Sequence, residues 1–354
     1  MEILDDVRDY YGKQLTGRGD LQTGACCCPP DALSAEVRAA APFIADEINA
    51  KFYGCGSPIP PMLKGTTVLD LGCGTGRDVY IAAKLAGEDG FAIGVDMTEE
   101  QLAVARAYEE EQRVRFGYSR SNVVFHTGYI EDLAALGIGD ASADVVISNC
   151  VVNLSPNKEA VFREIYRVLK PGGELYFSDI FADRRIPEAL AADPLLRAEC
   201  LGGAMYTEDF RRMMARVGFV DFREMNVSAV SIGNEEAERK AGFAGFTSRT
   251  VRAFKLSGLE DICEDYGQVA YYKGTIEGYP HFFDLDGQHR FFTGKPLLIC
   301  GNTALMLQKT RFAPAFSVVG DTSVHYGPFD CSGGGSHNNN SNNSSAPPDG
   351  GGCC

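Results

Sequence analysis

The sequence predicts an α/β fold built around a mainly parallel sheet, and three observations carry that expectation. Between about residues 66 and 180, short apolar strand-like runs alternate with helical segments, the pattern of βαβ units whose sheet is covered on both faces. A glycine-rich turn, "VLDLGCGTGRD", joins the first of those runs to the first helix. An acidic residue, Asp96, closes the next run, at the sheet edge where such folds gather ligand-binding groups.

Taken in order, residues 2–12 read as a short helix. Residues 31–53 form an Ala-rich helix that Pro42 breaks or bends, and 54–65 is a Gly- and Pro-rich loop. "TTVLDLG" (66–72) is a buried-type strand, and "RDVYIAAKLAG" is a helix closed by Gly87. "GFAIGVDMT" (90–98) is a second strand. Thr98 and Gln101 then make a capping box that opens a helix running to about Gly117. Further strands fall at 121–128, 143–150 and 174–180, with an amphipathic helix at 157–173 stopped by Pro171 and Gly172, and another at 207–219. From about 231 the pattern loosens into strand-like runs, "FTSRTVRAFKL", "GQVAYYKG" and "PHFFDLDGQHRFFTG", and a helix in "NTALMLQKT". The expected organisation is an N-terminal helical or lid segment (1–60), a main domain (61–230), a small α+β domain (231–331) and a disordered tail (332–354) whose Gly, Ser and Asn stretch has almost no apolar residues.

Composition narrows the function. The chain has 354 residues, 45% hydrophobic and 23% charged, which is ordinary for a soluble globular protein. A net charge of −15 disfavours nucleic acid as a partner. No apolar run reaches the roughly 18 residues of a membrane span, and the acidic start lacks a signal-peptide pattern. A cytoplasmic, reducing compartment is expected, with no standing disulfides, and a monomer. Twelve cysteines then favour metal-like binding or redox chemistry. No Cys-x-x-Cys pair occurs, and His126, His281, His289, His325 and His337 make no zinc spacing with the cysteines.

Gly72, Gly74 and Gly76 are spaced Gly-x-Gly-x-Gly, which is neither a dinucleotide fingerprint nor a P-loop. Asp96 suits ribose hydroxyls, and Ile130 and Glu131 in "GYIEDL" suit an adenine. With "LKPGGELYFSD" in sequence order, the set resembles the Rossmann-like class I S-adenosylmethionine-dependent methyltransferases. That resemblance implies S-adenosylmethionine as methyl donor, held by Asp70, Gly72, Gly74, Gly76, Asp96, Met97, Ile130, Glu131 and Asn149.

The thiols sharpen the picture. Cys150 ends the strand "ADVVISNC", at the same edge as the glycine loop. Cys200, in "AECLGGAMY", follows the fifth strand, with Gly202 and Gly203 allowing close backbone packing. Together with "DLQTGAC", "FYGCG" and the closing "GGCC", these stretches resemble the arsenic(III) S-adenosylmethionine methyltransferases. The resemblance implies four working cysteines: Cys26 (or its neighbours Cys27 or Cys28), Cys55, Cys150 and Cys200. Cys55, Cys150 and Cys200 would ligate arsenic, and Cys26 and Cys55 would form a redox couple reset by an external thiol such as glutathione or thioredoxin. Arsenite and methylated trivalent arsenicals would be the substrates. Tyr53 is a further candidate beside the sulfonium.

The chemistry agrees. Trivalent arsenic is thiophilic, as soft thiolates require. Its lone pair is the nucleophile, so catalysis is chiefly positioning. A thiol pair can return two electrons to arsenic. The alternatives are a carbon or oxygen methyltransferase on the same fold and a thiol-rich metalloid-binding or redox-sensing protein. Cys73, Cys263, Cys300 and Cys331 read as packing or surface thiols, and Cys353 and Cys354 as a disordered pair.

Overall fold

The computed structural model describes residues 7–8, 10, 33–50, 58–193, 196–197 and 200–331. Cys26, Cys27, Cys28, Tyr53, Cys55, Cys353 and Cys354 lie outside the described residues, as does the tail expected to be disordered. The chain divides into two compact units, Met1–Phe219 with Glu224–Lys255, and Val220–Arg223 with Leu256–Cys354.

The first unit begins with helices α1 (Ala35–Ala40) and α2 (Asp46–Ala50). Between them Pro42 sits in a short 3-10 turn, Ala41–Phe43, so the expected break occurs where proline removes a backbone donor. The sheet follows, with strands β1 (Thr67–Leu71), β2 (Phe91–Asp96), β3 (Val123–Thr127), β4 (Ala143–Asn149), β5 (Leu169–Ala182), β6 (Met205–Tyr206), β7 (Phe222–Ala229) and β8 (Phe246–Phe254). The order is β3-β2-β1-β4-β5-β8-β7, with β6 paired to β5. Strands β1 to β5 are parallel, so their carboxyl ends share one edge.

The connecting helices are α3 (Arg77–Ala86), α4 (Glu99–Ala107), α5 (Glu109–Phe116), α6 (Lys158–Val168) and α7 (Thr207–Val217). Helix α6 buries Val161, Phe162, Ile165 and Val168, the helical spacing that points one stripe at a sheet. Phe162 meets Phe177 of β5 and Phe210 of α7 at ring-centroid distances of 5.6 and 5.7 Å. Each such fully buried ring contributes about 1.5–3 kcal/mol of burial.

Several expectations shift. The helix after Thr98 is two helices, because the chain tightens at Tyr108, whose N–H bonds back to Ala105 and Arg106. The Thr98 side chain gives α4 no capping hydrogen bond. The helix expected over 157–173 ends at Val168, and Leu169 already pairs with Ala143. Lys170 precedes Pro171, and a residue before proline is driven out of the helical region. "FTSRTVRAF" becomes β8, antiparallel to β5 over nine residue pairs, so the first unit reaches Lys255 and the division falls later than residue 230.

The second unit has an antiparallel sheet and two short strand pairs. Its strands are β9 (Glu264–Asp265), β10 (Gln268–Tyr272), β11 (Phe282–Asp284), β12 (Arg290–Phe292), β13 (Pro296–Ile299), β14 (Phe316–Val319) and β15 (Gly327–Pro328). β10 lies between β13 and β14, β11 pairs with β12, and β9 with β15. Helix α8 (Gly301–Lys309) packs against β14, and Phe283 meets Phe312 and Phe316 at ring-centroid distances of 5.2 and 5.9 Å.

Across β5 and β8, Arg252 and Glu174 form an ion pair with both side chains fully buried. Arg252→Leu should destabilise the chain by about 3–5 kcal/mol, because a buried carboxylate then loses its countercharge. The double variant Arg252→Leu with Glu174→Leu should cost less. Urea unfolding of the three proteins measures this, and equal losses in both variants would contradict it.

Candidate active site

The cavity forms at the shared carboxyl edge of β1 to β4. Backbone at the glycine loop bonds to the end of β2: Gly72 N–H and Cys73 N–H both donate to the Val95 carbonyl, at 2.7 and 3.0 Å. Gly72 has φ 75, and a β carbon there would fall 2.3 Å from a Val151 methyl. Gly74 has φ 54, and a β carbon there would meet nothing nearer than Gln101 Oε1 at 4.0 Å. One glycine is required by packing and the other leaves an open cradle facing the cavity.

Asp96 fixes that cradle. Its Oδ2 accepts from Gly74 N–H and its Oδ1 from Thr98 N–H, both at 2.8 Å. Asp70, Asp78, Asp96 and Glu131 line the same cavity as Gly72, Gly74, Met97, Ile130, Asn149 and Cys150. Gly76 stands behind the loop as the N-cap of α3. Arg77 pairs with Asp78 at 2.7 Å, and Asn149 donates to Asp78 Oδ2 at 3.3 Å. Ser155 donates to Glu131. Burial and the charges of Asp78 and Asp96 push the Asp70 carboxyl well up. A cationic ligand relieves that crowding of like charge, so an acidic cavity with an open glycine cradle fits a molecule bearing a sulfonium and an ammonium.

Beside this cavity lies a sulfur site. Cys150 directly follows β4 in a left-handed conformation, φ 56, and Cys200 has φ 65. Such backbone costs an L-residue about 1–3 kcal/mol and persists only where the surroundings impose it. Cys200 Sγ donates to the Cys150 carbonyl at 3.2 Å. The sulfurs of Cys150 and Cys200 and a carboxylate oxygen of Asp179 lie within 4.8 Å of one another, all buried. The approach depends on Gly203, where a β carbon would stand 2.0 Å from the Asn153 carbonyl oxygen. Cys150 is disulfide-bonded, as is Cys263, against the expectation of no standing disulfides.

Asp179 escaped the sequence reading. It sits at the end of the quoted run "ELYFSD", on the edge already singled out for ligands, and that position was the available signal. Its oxygens accept from Ile180 N–H at 2.8 Å and Asn153 N–H at 3.0 Å. Lys158, nearby, donates to the Ser155 carbonyl at 3.0 Å, and burial lowers its pKa. Cys73, by contrast, is not aligned for thiolate chemistry, because burial and the charges of Asp96 and Asp70 push its thiol up.

Cavity and fold together define an S-adenosylmethionine-dependent methyltransferase of class I. A methyltransferase-domain family model matches residues 63–218, and an arsenite methyltransferase C-terminal-domain model matches 265–354. The chain is 50% identical over 330 residues to an arsenite methyltransferase of Aquipseudomonas alcaligenes, covering 93% of this chain and 94% of that one. It is 39% identical over 319 residues to the arsenite methyltransferase of Homo sapiens, covering 90% and 84%. The crystal structure of an arsenic(III) S-adenosylmethionine methyltransferase from Chlamydomonas reinhardtii superposes with a TM-score of 0.82 at 50% identity, covering 84% of this chain and all of that one. The chain belongs to the arsenite methyltransferase family, and it is an enzyme that uses S-adenosylmethionine as methyl donor. Among the described residues no helix is long and apolar enough to cross a membrane.

Burial pushes the Asp179 carboxyl up to about 7 against its backbone hydrogen bonds and the Lys158 charge. The folded chain therefore keeps this proton at pH values where the unfolded chain has lost it. Stability should fall as pH rises from about 4 to about 7, by up to about 1.4 kcal/mol per pH unit from this group, and level off above. Asp179→Asn removes that slope. Urea midpoints of wild type and variant should diverge in the variant's favour across this window, and parallel pH profiles would count against it.

Proposed function

We propose that Cys150 and Cys200 hold trivalent arsenic at every methylation step, taking arsenite to its mono- and dimethylated forms. The observation that carries this is the sulfur pair within 4.8 Å, one member of which lines the acidic cavity. When bound, S-adenosylmethionine supplies an electrophilic methyl on a sulfonium. Asp96, which already accepts from Gly74 N–H and Thr98 N–H, would accept from the ribose, Ile130 would flank the adenine, and Glu131 would accept from its amino group. Asp70, Met97 and Asn149 would complete the donor's surroundings, with Gly72 and Gly76 shaping the loop.

The two thiolates orient arsenic so that its lone pair meets the methyl, an ordering effect that can supply several kcal/mol, up to roughly 7–11 in ideal cases. No proton acceptor is required for that step. Arsenic then stands formally pentavalent. Cys26 and Cys55 return two electrons by becoming a disulfide, and an external thiol such as glutathione or thioredoxin resets the pair. Cys55 also ligates arsenite during the first methylation. Because Cys150 is itself disulfide-bonded in the structure, the same class of reductant readies the site for its substrate.

Cys150→Ser should stay folded and bind S-adenosylmethionine, yet methylate neither arsenite nor monomethylarsenite. Speciation of arsenic after incubation with donor and thiol reads this, and either activity surviving sinks the assignment. Cys26→Ser and Cys55→Ser should lose turnover of arsenite but keep some turnover of monomethylarsenite when small thiol is in excess. Normal arsenite methylation by Cys55→Ser would exclude the redox role. Asp96→Ala should weaken donor binding by about 1–3 kcal/mol, the value of hydrogen bonds to a charged acceptor. Unchanged affinity by calorimetry would remove Asp96 from the donor site.

A further inference from the structure

The second unit contains a sulfur cluster that the methyl-transfer chemistry does not use. Cys263, Cys300 and Cys331 are far apart in sequence, yet their sulfurs lie within 4.8 Å of one another, and the residues are 5%, 0% and 8% exposed. Pairing of β9 with β15 aligns two of them: Phe329 N–H donates to the Cys263 carbonyl at 2.8 Å, and the Cys331 and Cys263 sulfurs are 2.8 Å apart. The third, Cys300, is the N-cap of α8, where its sulfur accepts from Thr303 N–H at 3.4 Å. Arg223 Nη2 reaches the same sulfur at 3.8 Å. That guanidinium is buried and held by Asp221 at 2.8 Å and Asp286 at 3.4 Å, and Asn302 of α8 also donates to Asp221 at 2.9 Å.

The sequence alone suggests packing or surface thiols here. Ordinary packing explains one buried thiol, but not three converging from separate elements with a cation and a helix N-terminus trained on one of them.

We propose that Cys263, Cys300 and Cys331 form a second thiolate site for trivalent arsenic, available when Cys263 is reduced. Three sulfurs are the donors present among the described residues, and three thiolates neutralise a trivalent centre. With a divalent ion the same three thiolates leave a net buried negative charge. Cys263 is disulfide-bonded in the structure. An external dithiol opens that bond by exchange, becoming a disulfide itself and leaving both Cys263 and its former partner sulfur as thiols. Arsenous acid then forms three sulfur bonds as three thiols lose their protons and three waters leave.

The test uses the full chain carrying Cys150→Ser and Cys200→Ser, so that the methyl-transfer thiols do not contribute. The protein is reduced with dithiol, desalted under argon, incubated with arsenite, and its bound arsenic counted by mass spectrometry of the element. Adding Cys300→Ser, or separately Cys331→Ala, should lower the count by one arsenic per chain with unchanged circular dichroism. The unreduced chain should lack that same equivalent. In the otherwise wild-type chain, Cys300→Ser should leave methyl transfer intact, so loss of this site and loss of the methyl-transfer site read out separately. An unchanged count in both added variants overturns the proposal, as does one zinc ion per chain that arsenite fails to displace.

Discussion

The contact of Gly203 with the Asn153 carbonyl controls the geometry of the sulfur site. No side chain fits between them, so the segment bearing Cys200 lies directly on the turn that follows β4. That contact lets the Cys200 thiol donate to the Cys150 carbonyl and brings both sulfurs beside Asp179. The turn in turn depends on the parallel register of β4 and β5, in which Asn149 faces Ser178 and Cys150 N–H donates to the Ser178 carbonyl at 2.9 Å. Sheet register, one missing β carbon and one thiol hydrogen bond form a continuous chain from fold to chemistry.

Electrostatics divides the neighbouring spaces. The donor cavity is lined by carboxylates, which favour a cationic molecule, whereas the sulfur site offers soft donors and one buried acid whose charge burial disfavours. Under the proposed function, a soft, uncharged arsenous species would gain little from the first and much from the second. The two reactants of a methyl transfer would then be sorted by charge type before any specific contact forms.

Much of this was legible in the sequence, and what was missed has physical reasons. The strands β1 to β4 are continuous apolar runs closed by Gly, Asp or Asn, so both their existence and the edge they share could be read. Gly72, Asp96, Ile130, Glu131, Asn149 and Cys150 follow from that edge and line one cavity. The end of α6 was misread because "VLKPGG" looks like a helix stop at Pro171, while pre-proline sterics and pairing with Ala143 end it three residues sooner. β8 was assigned to the wrong unit because its partner, β5, is some seventy residues away, and pairing across that separation leaves no local signal. The Cys263, Cys300 and Cys331 cluster is invisible for the same reason: a spacing rule detects ligands on one turn, and these come from a strand edge, a helix cap and a chain reversal.

The left-handed backbone at Cys150 and Cys200 bears on how this protein can vary. Glycine or asparagine relaxes such a residue by about 1–2 kcal/mol from backbone chirality, against the lost burial of each side chain and the lost Cys200 thiol hydrogen bond. Backbone relaxation therefore runs against retention of the sulfurs. Met62 and Ala141 carry the same backbone, but only at Cys150 and Cys200 would relaxing it with glycine also remove a sulfur, leaving an easier turn with an empty hand.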